Sequence, residues 1–168
     1  PTEYEAPSPL PEAQPARSLL KVVVGYPLAE EEARIVGNWD AGFNARRLEQ
    51  VDIRPLNEPD AVIRGRAEVR RTHMEPGVQR YLVEITRRTR EHPSVSYGAS
   101  PRASVALLLC AKALAAMRGR DFATPDDVRD IARPVLRHRL SLRADAELEG
   151  ATTDGVITDI LSGVEVPR

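Results

Sequence analysis

Cysteine and aromatic residues are scarce in this chain of 168 residues. The single cysteine, Cys110, excludes an internal disulfide and cannot form a structural zinc site alone. It lies in an apolar run, where a small buried hydrophobic residue is a better interpretation than a reactive thiol. Aromatic residues make up 4% of the chain, so we expect an aliphatic core. The net charge of -1 gives no support to an overall electrostatic attraction to nucleic acid or anionic lipid.

Several functional patterns are missing as well. No apolar run approaches the roughly 18 residues of a membrane span, and we expect a soluble, cytoplasmic chain. The phosphate loop G-x-x-x-x-G-K-[ST] does not occur, and neither Lys21 nor Lys112 follows a glycine. We therefore expect the chain to hydrolyse no ATP by itself. His73, His92 and His138 do not have the spacing of a ligand set, so no metal site is predicted.

What remains is mostly helical in pattern. Proline and acidic residues at the starts, and apolar residues at spacings of three and four, are typical of amphipathic helices. They predict helices over 27–39, 58–73, 75–92, 101–118, 124–138 and 152–164. Residues 40–57 show little periodicity and are interpreted as a linker, and the proline-rich residues 1–17 as an irregular segment.

One strand is predicted with good support, at residues 18–25. The run SLLKVVVGYP (18–27) is rich in β-branched residues and ends at a glycine and a proline, whereas LSLRA (140–144) is a weak second candidate. A lone strand leaves its edges unpaired and its faces uncovered. We therefore expect its sheet partners upstream of Pro1, in a larger protein of which this chain is the C-terminal part.

Arg102 lies in the first turn of the most apolar predicted helix. A cation there faces the positive end of the helix dipole, at a cost of roughly 0.3–1 kcal/mol, and the unpaired N–H groups favour an anion. Ser100 and Pro101 precede it as the predicted N-cap and first-turn proline. Gly98 and Ala99 are small enough to let a ligand approach the backbone. Arg102 is thus a candidate phosphate-sensing arginine, with a salt bridge or a solvent position as the simpler alternative.

Other arginines allow different functions. Arg17 follows the proline-rich segment and directly precedes the strand; it is either an exposed arginine or one that reaches a phosphoryl group across a subunit boundary. The segment 129–143 is either a nucleic-acid patch or a solvated helix face, with arginines at Arg129, Arg133, Arg137, Arg139 and Arg143. A passive helical adaptor, in which no arginine meets a nucleotide, is a third possibility for the chain.

Four short motifs occur in the order found in MoxR-type AAA+ ATPases: LPEAQ (10–14), GASPRA (98–103), TPDDV (124–128) and LRHRL (136–140). The chain resembles this family over nearly its whole length. The resemblance implies a mainly α fold, in which an all-helical AAA+ lid bundle is preceded by one strand of an upstream α/β ATPase core. Residues 1–27 would be the end of that core, with the arginine-finger loop and its last strand. Residues 28–168 would be the lid domain, with its linker at about 40–57.

The resemblance also implies site residues and partners. Arg17 corresponds to the arginine finger, and Arg102 to the sensor 2 arginine, which lies with Ser100 and Pro101 at the nucleotide. The full-length protein is expected to bind ATP and Mg²⁺, to form a homo-oligomeric ring, a hexamer, and to remodel protein clients in a chaperone-like way. Such clients often carry von Willebrand factor A-type domains. The chain departs from the family beside the finger, where it reads Pro-Ala-Arg-Ser at 15–18 instead of Leu-Asp-Arg-Phe.

Overall fold

The computed structural model describes residues 18–47, 49, 51, 58 and 60–167. These residues fall into two compact units, one formed by residues up to Val22 together with those from Gly65 onward, the other by Val23–Arg64. Among the described residues the helices are α1 (Ala29–Asp40), α2 (Ala61–Arg71), α3 (Pro76–Glu91), α4 (Pro101–Met117), α5 (Pro125–Leu136), α6 (Ala144–Leu148) and α7 (Thr153–Gly163). The six predicted helices are confirmed with small shifts at their ends, and only the five-residue α6 was not predicted.

Helix α4 lies at the centre of the larger unit and packs against α3 and α5. Its buried face consists largely of small side chains, which allow neighbouring helices to approach closely. The core around it is aliphatic, as predicted, with Ile85, Leu107, Leu136 and Ile157 fully buried. Cys110 is also buried, and burial raises the pKa of its thiol, as expected for a packing residue.

Two short ladders tie the loops between the helices together. Strand β1 (His73–Met74) pairs in parallel with β3 (Phe122–Ala123). Strand β2 (Val95–Tyr97) pairs antiparallel with β4 (Ser141–Leu142). The weak strand signal at 140–144 therefore corresponds to β4, whereas β2 lies between two predicted helices, where no strand was predicted. Both ladders fix the loops that flank α4.

Residues 18–28 enter neither ladder and are not part of any strand in the structure. Their apolar side chains, such as Val23 and Val24, are exposed. The segment predicted as a strand thus finds no sheet partner among the described residues. That its partners lie upstream of Pro1 stays a prediction.

The smaller unit contains α1, whose three first-turn glutamates suit the positive end of the helix dipole. No side chain of α1 is buried, although Trp39 makes an edge-to-face contact with Phe43. Across the described part of the chain, no helix is long and apolar enough to span a membrane.

Candidate functional site

The candidate site begins at the N-terminus of α4, where Arg102 is the second helical residue and is exposed. Ser100 occupies the N-cap position as predicted, but its side chain makes no capping hydrogen bond, and Pro101 has no N–H to offer. No hydrogen bond or ion pair joins Arg102 to any residue that the structure describes. Arg102, Ser100 and Pro101 therefore form an exposed, uncapped helix start that carries an uncompensated cation.

The small residues before this helix, Gly98 and Ala99, make contacts that differ from the predicted approach of a ligand to the backbone. A Cβ atom on Gly98 would lie 2.6 Å from the Cα atom of Arg90, so α3 itself occupies the space that was assigned to a ligand. Ala99 is fully buried, and its N–H donates to Thr89 Oγ1 at 2.9 Å. Its carbonyl accepts from Arg90 Nε at 2.8 Å. Gly98 and Ala99 thus anchor the start of α4 to α3, and the prediction that they open the backbone to a ligand is wrong.

A second group of cations comes from the end of α5. The pKa of Arg139 is lowered by burial, and the positive charge of Arg102 acts in the same direction, so the two guanidinium groups repel each other. The pKa of His138 is also lowered by burial, with the charges of Arg139, Lys21 and Arg137 adding to that effect. Arg137 is paired with the carboxylate of Asp154. A multivalent anion such as a nucleotide phosphate matches this concentration of positive charge.

The segment that follows Arg17 lies against the same place. The carbonyl oxygen of Ser18 accepts from Arg139 at 2.7 Å and from His138 Nε2 at 3.0 Å. The N–H of Lys21 donates to the carbonyl of Pro134 at 2.8 Å. Arg17 lies outside the described residues, as do the residues of its loop motif. The structure therefore holds Ser18, the residue after the predicted finger, against His138 and Arg139 at the end of α5.

Comparison with known proteins shows the family of the chain. A family model described as AAA lid domain matches residues 87–160, a range that contains α4, α5 and the end of α3. Over 177 aligned residues the chain is 34% identical to Chaperone MoxR1 of Mycobacterium tuberculosis (strain ATCC 25618 / H37Rv), which covers all of this chain and 45% of that protein. It is 27% identical over 148 residues to Protein MoxR of Paracoccus denitrificans, covering 79% of this chain and 43% of that protein. The chain belongs to the MoxR-type AAA+ ATPases.

Two further similarities bear on the same family. Uncharacterized protein YeaC of Bacillus subtilis (strain 168) is 38% identical over 167 residues, which cover 99% of this chain and 51% of that protein. The crystal structure of a candidate ATPase from Cytophaga hutchinsonii ATCC 33406 superposes with a TM-score of 0.81 at 29% identity, over 100% of this chain and 52% of its own. The chain spans about half the length of the relatives it matches. It corresponds to the C-terminal part of a MoxR-type ATPase, with its lid.

The MoxR-type lid also contains a charged cluster that the sequence analysis missed. Asp127 is fully buried at the start of α5 and accepts hydrogen bonds at 2.9 Å from both Arg118 and Arg120. It also accepts from the N–H of Thr124, the predicted cap, whose hydroxyl in turn accepts from the N–H of Asp127. Burial raises the pKa of this carboxyl, but the hydrogen bonds from Arg120 and Thr124 prevail and lower it to about 2. The signal in the sequence was the pair Arg118 and Arg120 a few residues before TPDDV.

The basic segment at 129–143 is largely engaged within the lid. Arg129 donates to the carbonyl of Leu161 at 3.4 Å, and Arg133 donates to Thr158 Oγ1 at 3.0 Å. Arg137 forms a bidentate pair with Asp154, in which two guanidinium nitrogens lie 3.0 Å from the two carboxylate oxygens. These contacts hold α5 against α7, which disfavours a continuous nucleic-acid stripe.

The described residues contain no group of three or more side chains that could hold a metal ion. The basic residues beside Arg102 suit the phosphates of a nucleotide, whereas ligands for its Mg²⁺ would have to come from elsewhere in a MoxR-type ATPase. Arg102 and its neighbours can therefore contribute charge to a nucleotide site, and binding of the metal lies outside their chemistry.

Proposed function

We propose that this chain is the nucleotide-responsive lid of an ATP-hydrolysing MoxR-type protein, and that Arg102 senses the bound triphosphate. The observation that carries the proposal is the exposed Arg102 at an uncapped helix start, with no carboxylate among the described residues to neutralise it. A charged residue placed against the helix dipole is unfavourable by itself, so a ligand of opposite charge gives it a purpose. The rigid, buried α4 then transmits the contact to the rest of the lid.

The neighbouring cations support a phosphate ligand over a single carboxylate. Burial lowers the pKa of Arg139, and the charge of Arg102 acts in the same direction. A multiply charged anion would be attracted by such neighbouring positive charges. Arg102 presents a planar fork of donors, which suits two phosphate oxygens at once.

Arg17 is proposed as the arginine finger of the same protein. Support comes from its neighbour Ser18, whose carbonyl is bound by Arg139 beside Arg102. As an arginine finger, Arg17 would reach a phosphoryl group across a subunit boundary. The Pro15-Ala16-Arg17-Ser18 sequence lacks the usual flanking acid and aromatic, so its role is proposed less directly than that of Arg102.

The wider function follows from the family. The full-length protein is proposed to bind ATP with Mg²⁺, to form a ring, a hexamer, and to remodel or mature protein clients, including ones with von Willebrand factor A-type domains. One relative is named a chaperone, which supports this activity. Residues 1–27 are proposed as the end of the ATPase core and residues 28–168 as the lid, in a cytoplasmic protein. The chain alone, with no phosphate loop, is expected to be inactive.

The experiment compares Arg102→Ala, Arg102→Lys and the parent in the full-length ATPase. ATP turnover in Arg102→Ala should fall by about one to two orders of magnitude, because a charge-assisted contact to phosphate contributes roughly 1.5–3 kcal/mol. Arg102→Lys should recover only part of the rate, since an ammonium cannot replace the planar fork. Arg143, another exposed arginine of the lid, provides the matched control as Arg143→Ala, which should leave turnover unchanged.

The thermal midpoint of each variant is measured beside its steady-state rate. Parent-like turnover in Arg102→Ala would mean that Arg102 is no sensor. The same conclusion would follow if activity were lost only in step with the thermal midpoint. A parent protein that turns over no ATP would contradict the proposed function as a whole.

A further inference from the structure

A groove runs along one face of α3, on the side where α7 and the residues after it pack against that helix. Its first half is a cleft of about 430 Å³ between α3 and the segment Val164–Pro167. Its second half is a cleft of about 240 Å³ between the end of α3 and α7, and Arg88 lines both halves. From Gly77 to Glu91 the helix rises roughly 21 Å, a length that an extended peptide of about six residues matches.

One wall of the groove is held by packing alone. Residues 165–167 make no hydrogen bond with any residue that the structure describes. Val164, directly before them, is buried and donates its N–H to the last turn of α7 at 3.1 Å. Beyond it, the segment lies over the start of α3, where a Cβ atom on Gly77 would be 3.4 Å from Pro167 Cβ. The main-chain groups of this segment are thus available to pair with an extended peptide, as those of an edge strand are.

Tyr81 lines the same cleft and is 3% exposed. Its hydroxyl is buried and has no hydrogen-bond partner among the described residues. Such a hydroxyl is unfavourable for the fold, and a phenylalanine would fill the same space without that cost. Because the opposite wall is held by packing alone, a peptide that displaces it can bring a carbonyl oxygen to this hydroxyl.

The charged side chains that line the groove are mostly acidic. Arg88 donates from Nε to Glu84 at 2.8 Å, so these two charges balance each other. Arg80 is exposed and forms no ion pair with any described residue. The other carboxylates that line the groove are also without an ion pair in the described part of the chain: Glu91, Asp159 and Glu165. Unpaired carboxylates therefore outnumber the one unpaired guanidinium, which favours lysine or arginine side chains in a ligand.

We propose that the groove along α3 binds an extended, basic segment of a partner polypeptide. The segment pairs its main chain with the residues after Val164, gives the hydroxyl of Tyr81 an acceptor, and places its basic side chains beside the unpaired carboxylates. Apart from Arg88, the lining of the first half lies outside the range 87–160 that the AAA lid model matches. The inference goes beyond the proposed function, since it requires neither Arg102 nor ATP turnover.

The full-length protein is titrated with a fluorescein-labelled peptide of about eight residues, in which lysine alternates with serine and valine, and anisotropy is measured. We expect saturable binding, and none for the same peptide with glutamate in place of lysine. Glu91→Gln combined with Asp159→Asn should weaken binding about tenfold at low salt, because the attraction of two carboxylates is lost. Glu149→Gln is the matched control, since Glu149 is an exposed acid that lines neither cleft.

Tyr81→Phe separates a binding role from a structural one. Removal of the hydroxyl should weaken binding of the lysine peptide about fivefold, the loss expected for one hydrogen bond. The thermal midpoint should stay the same or rise, because the hydroxyl has no partner among the described residues without the peptide. Hydrogen exchange gives a second readout: the peptide should slow exchange at Glu165 and Val166 about tenfold and leave amides in the middle of α4 unchanged.

The outcomes divide clearly. Failure of the lysine peptide to bind, equal binding of the glutamate peptide, or parent-like affinity in the Glu91 and Asp159 double variant would overturn the proposal. Parent-like affinity in Tyr81→Phe would remove its hydroxyl from the site. If the double variant changed the oligomeric state while no peptide bound, the groove would be an interface between copies, and the proposal would fall. ATP takes no part in these measurements, so turnover in Arg102→Ala tests the proposed function separately.

Discussion

The two ends of α4 use arginine in opposite ways. At its C-terminal end, Arg118 binds Asp127 at 2.9 Å and Asp130 at 2.7 Å, and its charge also suits the negative end of the helix dipole. At the N-terminal end, Arg102 opposes the dipole and has no carboxylate partner among the described residues. Hydrogen bonds to Asp130 and Asp127 raise the pKa of Arg118, while burial and Arg102 lower that of Arg139. The contrast separates an arginine paired with carboxylates from an exposed arginine to which we assign a ligand only as a proposal.

The contrast also explains why composition alone was uninformative. Basic and acidic residues nearly balance over the whole chain, giving a net charge of -1. The structure distributes the pairing of charges unevenly: Arg118 is paired with Asp127 and Asp130 where α4 ends, whereas Arg102 has no carboxylate partner among the described residues where it begins. A neutral chain can therefore still present a local positive surface.

The largest expected effect is at the C-terminal end of α4, where the arginines have carboxylate partners. Asp127→Asn should lower the free energy of unfolding of the chain by about 3 kcal/mol, because it leaves the guanidinium groups of Arg118 and Arg120 without their buried counter-ion. Asp126→Asn is the matched control, since Asp126 is the adjacent first-turn acid and should cost less than about 1 kcal/mol. Urea denaturation of both variants measures the difference. Equal losses would show that Asp127 acts only through the helix dipole.

The same carboxyl predicts a pH dependence of stability. The pKa of Asp127 is about 2 in the folded chain, against an ordinary value of 3.8, so the unfolded chain takes up the proton first as the pH falls. The stabilisation of about 2 kcal/mol is thus present above about pH 4 and disappears as the pH falls through about 2. Urea midpoints measured between these limits should fall less steeply in Asp127→Asn than in the parent. Identical slopes would contradict the low pKa.

Sequence patterns predicted the helices well because each one carries local signals. Proline stands at the start of α3, α4 and α5, and the cap at Thr124 could be recognised from TPDDV alone. The ladder between β1 and β3 could not be predicted, because a pair of two-residue strands has no periodicity and depends on α4 to bring them together. Pro134 lies inside α5, and the helix ends soon after it, at Leu136.

The candidate site was predicted in part, for a similar reason. Arg102 was identified because its place in the helix is a local property. Arg139 was seen only as one of five arginines in a basic segment, since its partners Ser18 and Leu19 lie about 120 residues away in the chain. Gly98 was recognised as special, but only the position of Arg90 shows that its missing Cβ makes room for α3. Local sequence patterns can indicate that a residue is special, but its role depends on tertiary contacts that the patterns do not predict.

A substitution at Gly98 would disturb the N-terminal end of α4 without changing any charge there. A Cβ atom there would come within 2.6 Å of the backbone of α3, so Gly98→Ala should cost about 2 kcal/mol of unfolding free energy through overpacking. It should also reduce ATP turnover of the full-length protein more than its thermal midpoint explains, because the start of α4 shifts with Arg102. Gly163→Ala is the control, since a Cβ atom at Gly163 would meet open space. Parent-like stability in Gly98→Ala would mean that α3 yields easily at this contact.

The smallest expected effect is the most direct test of the comparison. Removal of an arginine should change the free energy of unfolding in opposite directions at the two ends of α4. Arg118→Ala removes one of the two arginines on Asp127 and should lower the free energy of unfolding by about 1 kcal/mol, a modest value because the Arg118 side chain is 44% exposed. Arg102→Ala removes a cation from the positive end of the helix dipole and from the neighbourhood of Arg139, so it should raise the same free energy by about 0.5 kcal/mol or leave it unchanged. Urea denaturation at low and high salt measures both, and the gain in Arg102→Ala should shrink at high salt as screening removes the repulsion. If Arg102→Ala instead loses as much stability as Arg118→Ala, then Arg102 contributes to the fold, and the distinction between the two ends of α4 fails.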